Sequence, residues 1–203
     1  MGGRNLVLAA YLIKMNIGLY FGSFNPVHTG HLIIANYLVS NVEIDQVWFV
    51  VSPQNPLKHS SSLLNEYHRL HLIQSAIDGE NKLKVSNVEF QLPKPSYTVD
   101  TLTYLKEKYS HHRFSIIMGS DSFQNINKWK NHEVILNNYP LYIYQRPGFE
   151  LTETDQKGIT LVQAPLLEIS STYIRKLVKE NKSIRYFVPD IVMEEITRNN
   201  YYR

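Results

Sequence analysis

Short apolar runs alternate with stretches of helical periodicity, and this alternation constrains the chain more than any other feature. Met15–Tyr20, Gln46–Ser52, Leu83–Val88, Arg113–Met118, Leu141–Gln145 and Ile159–Val162 read as strands. His28–Ser40, Leu63–Ile77, Thr98–Tyr109, Asn131–Asn137, Ser171–Glu180 and Asp190–Asn199 space their apolar residues as helices do. Glu89–Tyr97, with Pro93 and Pro95, reads as loop. Strands that are apolar throughout need cover on both faces, and intervening helices supply it. The expectation is an α/β fold built on a parallel sheet.

The 203 residues suit one domain, and no linker or repeat divides them. An apolar share of 43% with 19% charged residues is that of a globular chain. With Cys 0, disulfide scaffolds, cysteine-ligated metal and thiol catalysis are excluded. A net charge of +3 suits small anions and is too weak to argue for nucleic acid. The most apolar stretch, Leu6–Ile13, falls well short of the ~20 residues a membrane helix needs. Lys14 follows it at once with no small-residue cleavage site, so it does not read as a signal peptide either. Met15 opens a clean strand. Residues 1–14 are therefore expected to be a leader or upstream-start extension, 15–203 the folded domain, and the compartment cytoplasmic.

In such sheets ligands bind beyond the carboxyl ends of the strands. After the first strand comes Gly22-Ser23-Phe24-Asn25-Pro26-Val27-His28-Thr29-Gly30-His31. Gly22 allows close backbone approach, and the following helix start offers N–H groups to an anion. His28 and His31 project from one side of the first turn, and Gly30 between them is expected to leave room for a phosphate chain. Neither a Walker loop nor a dinucleotide fingerprint is present. Near the other end stands Ile169-Ser170-Ser171-Thr172-Tyr173-Ile174-Arg175. Ser170 is a natural N-cap, Ser171 and Thr172 start a second anion-binding turn, and Arg175 can reach phosphate oxygens with its fork. A bland reading, in which these are caps and surface histidines, holds for each motif alone better than for the pair.

Together the two motifs resemble those of the nucleotidylyltransferase superfamily. Ser96-Tyr97-Thr98-Val99-Asp100-Thr101-Leu102, Gly119-Ser120-Asp121-Ser122-Phe123 with Trp129, Ser52-Pro53 to Pro56-Leu57-Lys58, and Phe187-Val188-Pro189-Asp190 narrow the resemblance to its bacterial nicotinate-nucleotide adenylyltransferase branch. The likeness runs in order from Met15 to about Arg203. It implies a Rossmann-like doubly wound parallel sheet. It also implies adenylyl transfer from ATP to nicotinate mononucleotide, giving nicotinate adenine dinucleotide and pyrophosphate in NAD biosynthesis.

The resemblance assigns His28, His31 and Arg175 to catalysis, and Gly22, Ser23, Phe24, Gly30, Ile169, Ser171, Thr172 and Lys58 to ATP. It assigns Tyr97, Thr98, Gly119, Asp121, Trp129 and Arg146 to the nicotinate nucleotide. The residues agree with this. Trp129 can stack on a flat pyridine ring, Tyr97 and Thr98 can hold a carboxylate at a helix start, and Asp121 can accept from ribose hydroxyls. Mg²⁺ is expected on the phosphate oxygens, with no protein metal site, because no carboxylate cage stands out. ATP and nicotinate mononucleotide are the partners expected, with no nucleic acid or membrane; a homodimer is compatible. The sequence leaves open a nicotinamide-mononucleotide or pantetheine-phosphate adenylyltransferase, or a non-catalytic nucleotide-binding sensor. Asn25 stands where the family commonly has Asp; it serves equally if its side chain only shapes the turn.

Overall fold

The computed structural model describes residues 14–54, 63–151, 157–165 and 168–203. The expected leader, apart from Lys14, and Lys58 lie outside the described residues. Strand β1 (Asn16–Gly22) leads to helix α1 (Thr29–Asn41), β2 (Gln46–Val51) to α2 (Glu66–Ala76), and β3 (Leu83–Ser86) to α3 (Thr98–Lys108). Then β4 (Arg113–Gly119) passes through the short α4 (Ser120–Phe123) to α5 (His132–Asn138). Strands β5 (Leu141–Tyr144) and β6 (Ile159–Val162) precede α6 (Ser171–Lys179) and α7 (Asp190–Arg198).

The 6-stranded sheet has the order β3-β2-β1-β4-β5-β6, and every pairing in it is parallel. This is the doubly wound arrangement that the sequence predicts. Its strands are apolar on both faces because both are covered. In β2, Val47, Phe49 and Val51 enter one core with Leu38 of α1, Leu72 of α2, Ile174 of α6 and Val192 of α7. Trp48 and Val50 enter the other, with Leu102 of α3 and Ile135 of α5.

Strand order reverses direction between β1 and β4, which is where an open α/β sheet forms a crevice at its carboxyl edge. The loops after β1 and β4 therefore flank one cleft. The segment after β3 departs from the expected plain loop: Val88–Gln91 forms a 3₁₀ turn that buries Glu89. The last residues, which have no periodicity, are not a free tail either. Tyr201 shares a 3.0 Å hydrogen bond with His68 of α2, and Tyr202 packs on the first core.

Candidate active site

At the switch point lies a cleft of about 1080 Å³, lined from the ends of β1, β2, β4 and β5 and the starts of α1, α3 and α6. It is as large as the upper end of the ~300–1,000 Å³ range of small-molecule pockets. Two nucleotide-sized substrates can share it.

The histidine pair forms its wall on the β1 side. His28 is the N-cap residue of α1 and His31 lies three residues on; their rings stack with centroids 3.6 Å apart. The His28 backbone N–H donates to Nδ1 of His31 at 3.2 Å. A nitrogen that accepts cannot also carry the proton, so neutral His31 is held as the Nε2–H tautomer. Both imidazoles are neutral. Burial, reinforced by the nearby Arg146 guanidinium, pushes His28 down to about 3. Burial, then His28 and Arg146, push His31 well below the usual histidine range. They act as hydrogen-bonding groups rather than as resident cations.

The glycines have particular neighbours. A Cβ on Gly30 would stand 3.1 Å from Nδ1 and 3.2 Å from Cε1 of His28. The His28 ring thus packs over the Gly30 Cα, because it folds back over its own helical turn. A Cβ on Gly22 would come within 2.9 Å of the Phe24 ring. Phe24 takes a left-handed backbone conformation (φ 45°) and turns its ring inward, edge-on to His31 at 5.0 Å. Expected at ATP, it is 2% exposed and shapes the floor beneath His31.

The second motif closes onto the first. Ser170 caps α6 by accepting from the Tyr173 N–H at 3.2 Å. Ser171 donates its hydroxyl to the Pro26 carbonyl at 2.8 Å, and Arg175 donates to the Asn25 carbonyl at 2.7 Å and to Thr172 Oγ1 at 3.3 Å. The two helix starts are thereby fastened together across one face of the cleft. Asn25 accepts the Leu64 N–H at 3.1 Å through Oδ1, a turn-shaping contact that a carboxylate could also make. Ile169 does not line the large cleft. It lines a side pocket with His28, Gly30, His31, Ala164 and Arg146 that has room for about one water, about 20 Å³.

On the β4 side, Asp121 faces Arg146 at 3.7 Å. A Cβ on Gly119 would collide with Asp121 Oδ1 and approach Arg146 Nε to 3.2 Å, so a larger residue here would push the Asp121 side chain aside. Arg146 also donates to the Tyr144 hydroxyl at 3.4 Å, and Tyr20 donates to the same oxygen at 3.0 Å. Arg146 therefore reaches toward the histidines as well as toward Asp121. At the far end, half-buried Trp129 and Tyr97 line the cleft. The cap of α3 is Tyr97, without a side-chain hydrogen bond, and Thr98 is the first helical residue rather than the cap. Lys130 stands 4.8 Å over the Tyr97 ring and pairs with Asp100 at 2.9 Å.

Sequence reasoning missed Tyr20, Tyr144 and Glu89; from sequence alone Glu66–His71 reads as a mostly solvated helix face in which Arg69 supports a neighbouring loop. Arg69 is wholly buried. It donates to the carbonyls of Leu64 (2.7 Å), Ser23 (2.5 Å), Ser52 (2.9 Å) and Pro53 (3.3 Å), tying the β1 and β2 loops to α2. No sequence signal separates Arg69 from the exposed polar residues beside it on α2. The tyrosines read as ordinary strand core.

Comparison with known proteins agrees with this geometry. The cytidylyltransferase-like family model matches residues 19–177. A probable nicotinate-nucleotide adenylyltransferase of Cytophaga hutchinsonii is 53% identical over 93% of this chain and 98% of its own length. One of Flavobacterium johnsoniae is 48% identical over 93% of this chain and all (100%) of its own. The fold matches that of Plasmodium falciparum nicotinic acid mononucleotide adenylyltransferase complexed with NaAD, with a TM-score of 0.80 at 22% identity, covering 93% of this chain and 98% of that one. By these matches the chain belongs to the cytidylyltransferase-like family, in its nicotinate-nucleotide adenylyltransferase branch.

Proposed function

We propose that the protein joins the AMP moiety of ATP to nicotinate mononucleotide, releasing pyrophosphate. The observation that carries this reading is the hydrogen bond from the His28 backbone N–H to Nδ1 of His31. With Nδ1 occupied by the His28 N–H, a neutral N–H donor is held at the wall where the two helix starts meet.

The mononucleotide phosphate oxygen attacks the α-phosphorus in line. The bond from that phosphorus to the oxygen bridging the α- and β-phosphates breaks, and pyrophosphate leaves with the electron pair. His31 Nε2–H donates to an α-phosphate oxygen as its charge grows, and His28 orients the triphosphate. Arg175, with Thr172, holds the β- and γ-phosphates, and its length is fixed by its bond to the Asn25 carbonyl. The Ser171 hydroxyl is already given to Pro26, so Ser171 acts through its backbone and by fastening the loops. Trp129, Tyr97 and Thr98 receive the pyridine carboxylate end, while Asp121 and Arg146 stand between the two nucleotides. Catalysis by such a site is positioning plus stabilisation of developing charge, with no covalent enzyme intermediate.

Mg²⁺ would arrive on the triphosphate and offset its charge. Triphosphate oxygens are the hard donors that Mg²⁺ prefers. Lys58 is assigned to pyrophosphate by its motif alone.

The test is pyrophosphate release from Mg-ATP with nicotinate mononucleotide, nicotinamide mononucleotide and phosphopantetheine run in parallel. Turnover dominated by the nicotinate substrate is expected. Preference for either other acceptor would overturn the pocket assignment, and ATP binding without turnover would indicate a sensor.

A further inference from the structure

Glu89 is a buried acid for which the chemistry above has no use. It sits in the 3₁₀ turn after β3, 2% exposed, yet lines the cleft beside Ser52, Ser96, Tyr97 and Thr98. Oε2 accepts from the Ser96 hydroxyl at 2.7 Å and Oε1 from the Thr101 hydroxyl at 3.0 Å. No cation pairs with it among the described residues, and burial pushes its carboxyl above the usual range. A carboxylate held only by hydroxyls is a costly way to fill a core, and an apolar side chain would fill it more cheaply.

The two hydroxyls belong to the residue before Tyr97 and to the first turn of α3. Thr101 divides its hydrogen between Glu89 and the Tyr97 carbonyl, 3.3 Å away. Helix α3 starts without a side-chain cap, so its first turn is fixed by this cluster instead. We propose that Glu89 is a positioning residue for the acceptor nucleotide: it clamps Ser96 and Thr101 so that α3 presents Tyr97 and Thr98 to the pyridine end of the cleft. The proposal rests on the functional reading above. It separates the two substrates, because the histidines, Thr172 and Arg175 touch none of the clamp.

Steady-state kinetics of Glu89→Ala, Glu89→Gln and Ser96→Ala test it. Glu89→Ala should raise KM for nicotinate mononucleotide about tenfold or more, with KM for ATP within about twofold. Glu89→Gln should recover most of the loss, because glutamine keeps one acceptor and the serine hydroxyl can turn to accept from its amide. Ser96→Ala, which removes a single donor, should show the same split at smaller size and covers the case in which Glu89→Ala does not fold. Equal rises in both KM values, a fall in kcat alone, or an unchanged acceptor KM in a folded variant would overturn the proposal. If the unmutated chain is inert toward nicotinate mononucleotide, the functional reading fails instead. Glu89 is then judged by amide hydrogen exchange, which should quicken in the first turn of α3 in Glu89→Ala without loss of global stability and would refute the clamp if unchanged.

Discussion

The two histidines set the site's behaviour with pH. His28, with a folded value of about 3 against about 6.5 unfolded, binds fewer protons folded than unfolded in that window. Stability is therefore complete above the unfolded value and falls as pH drops from about 6.5 toward 3, by up to about 1.4 kcal/mol per pH unit for this one group. His31 adds to the same slope, its folded value being lowered by burial and by His28. Glu89, raised by burial, opposes it over part of the range, because a raised carboxyl favours the folded state toward acid. Urea unfolding at pH 7 and pH 5 should show a loss on acidification, and His28→Asn should flatten it; an unchanged slope in the variant would refute the assignment. Asn25 carries a second prediction. Since its side chain accepts the Leu64 N–H, Asn25→Asp should change kcat by less than about tenfold, and a larger gain would mean that charge is needed there. Residue chemistry was partly legible: His28, His31 and Arg175 could be picked out by type and spacing. Arg69 and Glu89 could not be placed, because burial of a charge depends on carbonyls and hydroxyls that distant segments bring to it.

Elements fasten these residues, and the glycine in α1 shows how. Gly30→Ala gains helix propensity worth about 0.8–1 kcal/mol. Its Cβ must displace the His28 ring, which cannot yield freely because it is stacked on His31 at 3.6 Å. Melting temperature should change little while kcat falls about tenfold or more; unaltered turnover would show that the pair tolerates tilting. Arg69 works between elements. Arg69→Met leaves the Leu64, Ser23, Ser52 and Pro53 carbonyls without their buried donor and should cost more than about 2 kcal/mol in chemical denaturation, with a smaller loss meaning that water replaces it. The long elements were legible because their apolar spacing persists over several turns or over a whole strand. The short α4 and the Val88–Gln91 turn offered too few residues for a period to show.

At the scale of the whole molecule, periodicity predicted a covered parallel sheet but not its strand order. That order depends on which helix crosses to which face, which periodicity does not record; the motif resemblance implied a doubly wound sheet without giving the order. The order β3-β2-β1-β4-β5-β6 is what places the loop after β1 beside the loop after β4, and α6 then returns to lock onto Asn25 and Pro26. All of this assembly converges on one donor. The most direct test is steady-state turnover of His31→Ala, with KM measured for both substrates and cooperative melting confirmed. The account predicts a kcat loss on the order of 10²–10³ with both KM values little changed, as expected when a donor to the transition state is removed. Near-normal turnover in the folded variant would contradict it.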